Sequence, residues 1–313
     1  MTYVQPTVIG IKEKDPFKKV ELAGRTCYKS EDKITETSAK KFVAGLIKSN
    51  HTAMLEHCTF VFEIKGICAE RFAERIQTES PFLHVTRVFA DNRFRTLVSG
   101  NARALNGGGY CTTALLIELE KSYPEFVWDQ DIQSITPEEF GVSVKLVDLE
   151  DCRDLKKEEL LKHCYRTFRF ITNRGVTHEL VRHRLCSFAQ ESTRYVNYKD
   201  GIMICPPATL AEKPDEVKAE YEEAFWDAEK HYQKLIEAGE KPQEARAVLP
   251  IGLKTEIVVT ANIEEWKWIL ELRYLGTTGA PHPDIKQVMR DVYAQLLEEE
   301  MIRTHFPNAP KPE

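Results

Sequence analysis

Paired cysteines are missing from this chain. Its eight cysteines, at positions 27, 58, 68, 111, 152, 164, 186 and 205, are scattered, with no Cys-x-x-Cys among them. A structural zinc site usually declares itself through such pairs, and disulfide frameworks belong to short secreted chains. Neither is expected, and most of these thiols should be small buried apolar groups. Long apolar runs are missing too. No uncharged stretch approaches the roughly 20 residues that span a bilayer. The opening residues, MTYVQPTVIGIKEKDPFKKV, meet charge too early for a secretory apolar core, so a cytosolic location is expected. Nor is there any 20–50-residue repeat or low-complexity tract, which removes solenoids and propellers. An excess of positive charge is also absent: 43 Lys and Arg against 49 Asp and Glu leave −6. A broad basic face for duplex DNA is not expected, although a local arginine cluster can still hold a small anion.

What is present describes an ordinary globular protein of 313 residues, 42% hydrophobic and 29% charged, long enough to bury a sizeable core. Helical spacing runs through residues 36–48, where Phe42, Val43, Leu46 and Ile47 share a face. Alternation from Cys58 to Lys65 predicts a strand. Residues 83–98 read as a hairpin around Asp91-Asn92, followed by a Gly-rich break at Gly107–Gly109 and a helix from Thr112 to Glu120. Between Glu118 and Leu160 stand 13 acidic residues against five Lys or Arg, a net of −8 that exceeds that of the whole chain. A solvated insertion is expected there, with an interaction surface as the other reading.

A strand is predicted over Thr167–Thr172 and a short helix around Val176–Leu185. A long amphipathic helix over 215–238 carries Val217, Tyr221, Phe225, Ala228, Tyr232 and Leu235 on one stripe, for core or subunit packing. A strand at Glu256–Asn262, a helix at Trp266–Leu275 and a last helix at His282–Met301, entered through Pro283, complete a mixed α/β or α+β pattern. The order of its strands does not follow from the pattern.

Chemistry concentrates between Arg182 and Tyr195, where three arginines, a histidine, two serines and an amide fall within 14 residues. A guanidinium keeps its charge and forks onto phosphate, and Glu179 and Glu191 are the only acids nearby. An anion site is expected. His178-Glu179-Leu180-Val181-Arg182-His183 looks like the zinc-peptidase His-Glu-x-x-His but has one residue too many. On a helix its two imidazoles would lie about 140° apart, so they cannot share a metal, and none is expected.

These residues resemble the flavin-dependent thymidylate synthases (ThyX), whose signature is Arg-His-Arg, seven residues, Ser, and usually a further Arg two positions on. Arg182-His183-Arg184, Ser192 and Arg194 fit it. Companion motifs fall in the family's order. Ala23-Gly24-Arg25 and His51-Thr52-Ala53-Met54-Leu55-Glu56-His57 precede the signature. Ala245-Arg246-Ala247-Val248-Leu249-Pro250, Asn262 and Leu272-Arg273 follow it. The resemblance covers about residues 20–65 and 167–300 and implies one ThyX-like α+β catalytic domain over 1–313, a central sheet flanked by helices, interrupted by an insertion over 66–166. The departures are that insertion, Glu179 and Glu264 where glutamine and arginine are common, and a longer segment from Gly276 to Asp284.

The resemblance implies conversion of dUMP to dTMP, with methylenetetrahydrofolate as one-carbon donor and FAD reduced by NADPH. No metal and no nucleic-acid partner are implied, and the sites are shared within a homotetramer. Arg273 would be the catalytic residue, facing the uracil and favouring ionisation at its N3. The implied dUMP contacts are Arg182, Gln190, Glu191, Ser192, Thr193, Arg194, Arg246 and Arg273, with Glu191 and Thr193 acting through backbone N–H groups. Ser192 reads as a ligand to nucleotide or a turn hydroxyl rather than a nucleophile, having no base spaced beside it. The implied flavin contacts are Ala53, Glu56, Arg182, His183, Arg184, Gln190 and Asn262. His51 is a folate, flavin or core histidine, and His282 stands near where the family places a flavin histidine. The other thymidylate synthase family uses a Pro-Cys segment that this chain lacks, so Cys186 and Cys205 are weak candidates for a nucleophile. Three rival readings are a turnover-less flavin- and nucleotide-binding homologue, a folate- and flavin-dependent uridine methyltransferase on RNA, and a partner-docking protein built on the acidic segment. The acidic balance speaks against RNA.

Overall fold

A computed structural model describes residues 1–90, 93–128, 136–149, 157–299 and 303. The Asp91-Asn92 turn lies outside the described residues. The strands in chain order are β1 (Thr2–Tyr3), β2 (Thr7–Ile11), β3 (Thr59–Gly66), β4 (His84–Ala90) and β5 (Arg93–Asn101), then β6 (Val142–Leu146), β7 (Tyr165–Asn173), β8 (Ser187–Gln190), β9 (Met203–Ile204) and β10 (Lys254–Asn262). The helices are α1 (Pro16–Tyr28), α2 (Ser38–Lys48), α3 (Ala69–Glu79), α4 (Ala102–Asn106), α5 (Thr112–Ser122) and α6 (Lys157–Leu161), then α7 (Arg174–Leu180), α8 (Asp215–Glu237), α9 (Pro242–Ala245), α10 (Ile263–Leu270) and α11 (Pro283–Leu297). Mixed α+β architecture is thus observed directly.

One sheet has the order β2-β7-β10-β8, all antiparallel. Its centre, β10, is buried at every residue, and period-2 alternation gives it two different faces. Ile257, Val259 and Ala261 pack with Trp266, Val288, Met289 and Val292 of α10 and α11. On the opposite face Val258 meets Ala23 of α1 and Ala189 of β8. Helix α1 starts where Asp15 Oδ1 accepts the Phe17 N–H at 2.8 Å, with Pro16 at the first turn. Trp266, fully buried, donates its indole N–H to the Arg166 carbonyl at 3.0 Å.

The second sheet has the order β4-β5-β3-β6 and its own apolar core, in which Phe60, Phe62 and Ile64 of β3 meet Leu115 and Leu119 of α5. The expected hairpin is β4 and β5. The acidic stretch departs from expectation. Rather than being wholly solvated, it buries Leu119, Phe126, Val142 and Leu160 and supplies β6, paired to β3 from Gly66↔Val142 to Phe62↔Leu146. Val142, Val144 and Leu146 alternate at strand spacing with exposed Ser143 and Lys145. Gly66, at φ 136°, is needed at that join because a Cβ would strike the Gly141 carbonyl.

Three further corrections concern helices. The helix expected to Leu185 stops at Leu180, and residues 187–190 are instead the short strand β8. Antiparallel pairing with β10 supplies its hydrogen bonds, although Ser-Phe-Ala-Gln contains no β-branched residue. The helix expected over Trp266–Leu275 runs only to Leu270 as α-helix, then widens into a π-type turn, Glu271–Leu275, closed by Gly276 at φ 71°. Along α8 the apolar stripe divides: Phe225 and Tyr232 are buried, whereas Val217, Tyr221 and the off-stripe Trp226 are exposed. Cys58, Cys111, Cys164, Cys186 and Cys205 are buried as expected, but Cys68 is exposed and Cys27 half-buried; Cys152 lies outside the described residues. Among the described residues no helix is long and apolar enough to cross a membrane.

Candidate functional site

Strand β8 divides the Arg-rich segment. Arg182-His183-Arg184 precedes it and Ser192-Thr193-Arg194 follows it, at opposite ends of one strand. Neighbouring β10 sets the scale: Thr260 pairs with Ser187 and Ile257 with Gln190. From Asn262 to Lys254 the strand advances by about 26 Å.

At the Asn262 end, Arg273 and His183 meet directly. Arg273 Nε donates to His183 Nε2 at 3.3 Å and Nη1 binds Glu179 Oε2 at 2.8 Å. His183 is buried, with Glu265 Oε1 3.7 Å from its Nδ1. Because α7 ends before His183, the helical-angle argument against a metal does not apply. His178 is nevertheless exposed while His183 is buried against Arg273. Asn262 caps α10, its Oδ1 accepting from the Glu265 N–H at 2.9 Å and its Nδ2 donating to the Lys162 carbonyl at 3.0 Å. Arg182 and Arg184 are exposed. Glu56 Oε1 is held at 2.6 Å by Arg103 Nη1, and Glu56 and Arg184 line the same pocket, with a volume of about 400 Å³. Ala53 lies on the same 3-10 turn as Glu56, Thr52–His57, and is exposed.

At the Lys254 end, Thr193 Oγ1 accepts from Arg246 Nη1 at 3.2 Å. Arg194 is exposed and stacks its guanidinium over Tyr195, 5.5 Å from the ring centroid. Tyr195 meets Tyr28 edge-on, and Tyr28 Oη lies 3.4 Å from His51 Nδ1, which places the exposed His51 at this end. Gln190 lies between the ends, donating to Thr177 Oγ1 at 2.9 Å. His282 caps α11, its Nδ1 accepting from the Asp284 N–H at 3.3 Å. Among the described residues it touches no other candidate.

One backbone expectation changes. The Glu191 N–H donates to the Glu256 carbonyl at 2.8 Å and is therefore not free for a nucleotide. The neighbouring Ser192 N–H goes to the Cys27 carbonyl at 3.0 Å. The Glu191 carboxylate is buried, bound by Lys254 Nζ at 3.1 Å and by the Tyr198 hydroxyl at 2.9 Å. Lys254, Lys29 and Arg169 all pair with Glu256. Burial alone would raise the Glu256 pKa, but hydrogen bonds from Lys254 and Lys29 reverse the sign and bring it down to about 2. This charge network was missed. Its one signal is Lys254-Thr255-Glu256, which puts two charges on one face of an otherwise apolar strand.

The two candidate thiols are suppressed. Burial raises the pKa of Cys186, and the nearby Glu265 raises it further. Burial likewise carries Cys205 up to about 12. Neither provides thiolate near neutral pH. By contrast, Arg182, Arg184, Arg194 and Arg246 have no carboxylate partner among the described residues.

An α+β fold thus carries four exposed guanidiniums without a carboxylate partner among the described residues, one of them, Arg184, lining the pocket. The chain belongs to the family described as thymidylate synthase complementing protein (Thy1), whose model matches residues 9–77 and 124–301. Residues 78–123 fall outside that match. It is 32% identical over 148 residues to the flavin-dependent thymidylate synthase of Mycobacterium tuberculosis H37Rv, covering 42% of this chain and 57% of that one. With the flavin-dependent thymidylate synthase of Thermococcus kodakarensis it shares 37% over 122 residues, covering 37% and 49%. The chain thus spans about half the length of these curated relatives. A looser likeness, TM-score 0.43 at 15% identity over 98% of this chain and 97% of the other, links it to the UMP/dUMP methylase PolB of Streptomyces cacaoi bound with 5-Br dUMP. A likeness that loose carries no weight for function.

Proposed function

We propose that this protein is a methyltransferase that converts dUMP to dTMP, taking its one-carbon unit from methylenetetrahydrofolate and using FAD reduced by NADPH. The observation that carries the reading is the set of four arginines, three in the signature and Arg246 in its companion motif, that have no carboxylate partner among the described residues of an acidic protein. Arg194 and Arg246, with Ser192 and Thr193 between them, hold the phosphate. Arg182 serves nucleotide and flavin from the other turn, and Gln190 lies between the two sets.

The residues present fit a flavin. The pocket of about 400 Å³ is lined by Arg184 and Glu56 and has a flat Tyr165 ring in its wall. Asn262 touches the lining residue His84 through its Nδ2 at 3.3 Å, and His183 and Ala53 are assigned to the flavin with it. Bound flavin would supply the reducing electrons of the methylation. Arg273 holds negative charge on the pyrimidine ring: a guanidinium stabilises the N3 anion without giving up its own proton, and the anion enriches C5 in electrons. His183 and Glu179 fix the direction of that guanidinium.

We infer a homotetramer whose sites are shared between copies of the chain, as the family resemblance implies. Exposed Tyr195, Leu185, Val217, Tyr221 and Trp226 supply apolar surface for it. His51, beside Tyr28 and Tyr195, is assigned to the folate; His282 receives no role.

The test is absorbance of the purified protein for bound flavin, then tritium release from C5-labelled dUMP with NADPH and methylenetetrahydrofolate. One rival has an observation behind it. The Glu179–Arg273 pair partly neutralises the proposed catalytic cation, as expected of a homologue that binds flavin and nucleotide without turnover. Flavin-loaded protein that releases no tritium would decide for that rival.

A further inference from the structure

The pocket beside Arg184 has two walls of different origin. Glu56, Arg184, Cys186, Ser187 and Thr260 come from stretches matched by the family. The facing wall is built by Phe82, His84, Asn101 and Arg103, all within the unmatched stretch 78–123. That stretch is folded onto the site by β4 and β5, and Asn101 caps α4 through the Ala104 N–H at 2.8 Å, which presents Arg103. We propose that Phe82, His84 and Arg103 bind the fused nitrogen heteroaromatic ring that occupies this pocket, a contact set supplied by the inserted segment rather than by the family motifs.

Each residue has a physical role. Phe82 is 65% exposed at the rim, a large apolar ring awaiting a flat partner. His84 Nε2 lies 3.3 Å from Asn262 Nδ2. That amide nitrogen can only donate, because Asn262 Oδ1 is committed to the Glu265 N–H. His84 therefore carries its proton on Nδ1 and offers one donor. Burial lowers its pKa against the pull of Glu264 and Glu265, which favours the neutral ring. Arg103 crosses the pocket to Glu56 and cancels a carboxylate that would otherwise repel an anionic ligand. Arg184 remains the unpaired cation for the ligand's anionic arm. Flat walls, one neutral donor and one free guanidinium match a flavin ring or a pterin, which share this chemistry.

The inference rests on the function proposed above but is tested by binding alone. FAD and folinic acid are titrated separately into the full-length protein, followed by flavin fluorescence and tryptophan quenching. Arg103→Ala and Phe82→Ala should each weaken one ligand by about tenfold, and adding Glu56→Gln to Arg103→Ala should recover most of the Arg103 loss, since the stranded carboxylate is gone. Loss confined to FAD places the flavin ring here; loss confined to folinic acid places the pterin. Both side chains are largely exposed, so unchanged melting temperatures verify folding. Variants that bind both ligands within about twofold of the parent overturn the inference, as does a parent that binds neither. Binding that responds as expected in a protein unable to make dTMP would count against the proposed reaction alone. Normal turnover with unresponsive binding would count against this wall alone.

Discussion

Arg273, in the π-type turn, and Glu179, at the end of α7, form an ion pair at 2.8 Å although 94 residues separate them. The pair ties the proposed catalytic cation to the segment that leads into the signature. Arg273→Ala should leave flavin bound but lower dTMP formation by about 100-fold or more, the scale on which a preorganised charge stabiliser acts. Glu179→Gln should keep the hydrogen bond, remove the opposing charge and leave turnover within about tenfold of the parent. Steady-state tritium release from C5-labelled dUMP measures both. Full activity in Arg273→Ala would remove the proposed role.

Lys254 is nearly buried between Glu191 and Glu256. Lys254→Met removes the most buried cation of this network, but Lys29 and Arg169 still pair with Glu256, so the loss should fall below the roughly 3–5 kcal/mol that a fully stranded buried charge costs. Urea unfolding followed by circular dichroism should register that loss. Lys254→Arg should lose less.

Two buried histidines set a pH dependence. Burial holds His57 at about 3, with Lys19 adding to the effect, and holds His163 at about 3, with His84 adding. Both sit below the ordinary value of 6.5, so below pH 6.5 the unfolded chain binds protons that the folded chain refuses. Their contribution to stability is whole above pH 6.5 and falls away as pH drops toward 3, at about 1.4 kcal/mol per pH unit for each. Urea midpoints between pH 6.5 and 4.5 should decline steeply, and His57→Gln should make that decline shallower.

Cys186 and Cys205 are held as thiols, so Cys186→Ala and Cys205→Ala should keep turnover within about threefold. Iodoacetamide should modify exposed Cys68 well before either of them, as peptide mass mapping would reveal. Loss of activity on Cys186→Ala without loss of folding would revive a covalent route.

Periodic segments were legible without the structure. The alternation of Phe60, Phe62 and Ile64 marked β3, and the stripe through Phe225 and Tyr232 marked α8, because one buried face imposes a period on its own residues. Residue chemistry was legible for the same reason: the clustering of Arg182, Arg184 and Arg194 does not depend on the fold. Strand β8 was not legible, since four residues with only Phe188 favouring a strand became one through hydrogen bonds offered by β10. Nor was the hold of Lys254 and Glu256 on Glu191, or the reach of Arg103 to Glu56. Those contacts join residues 47 to 65 positions apart.

By itself the sequence determined which side chains carry permanent charge, which stretches must bury a face, and the family to which its motifs belong. Tertiary structure alone decided that the signature is split across the ends of β8, that Arg273 turns toward His183 and Glu179, and that a segment outside the family match walls the pocket. Such pairings join positions far apart in the chain. Their energies depend on burial and distance, which exist only once the two sheets have formed.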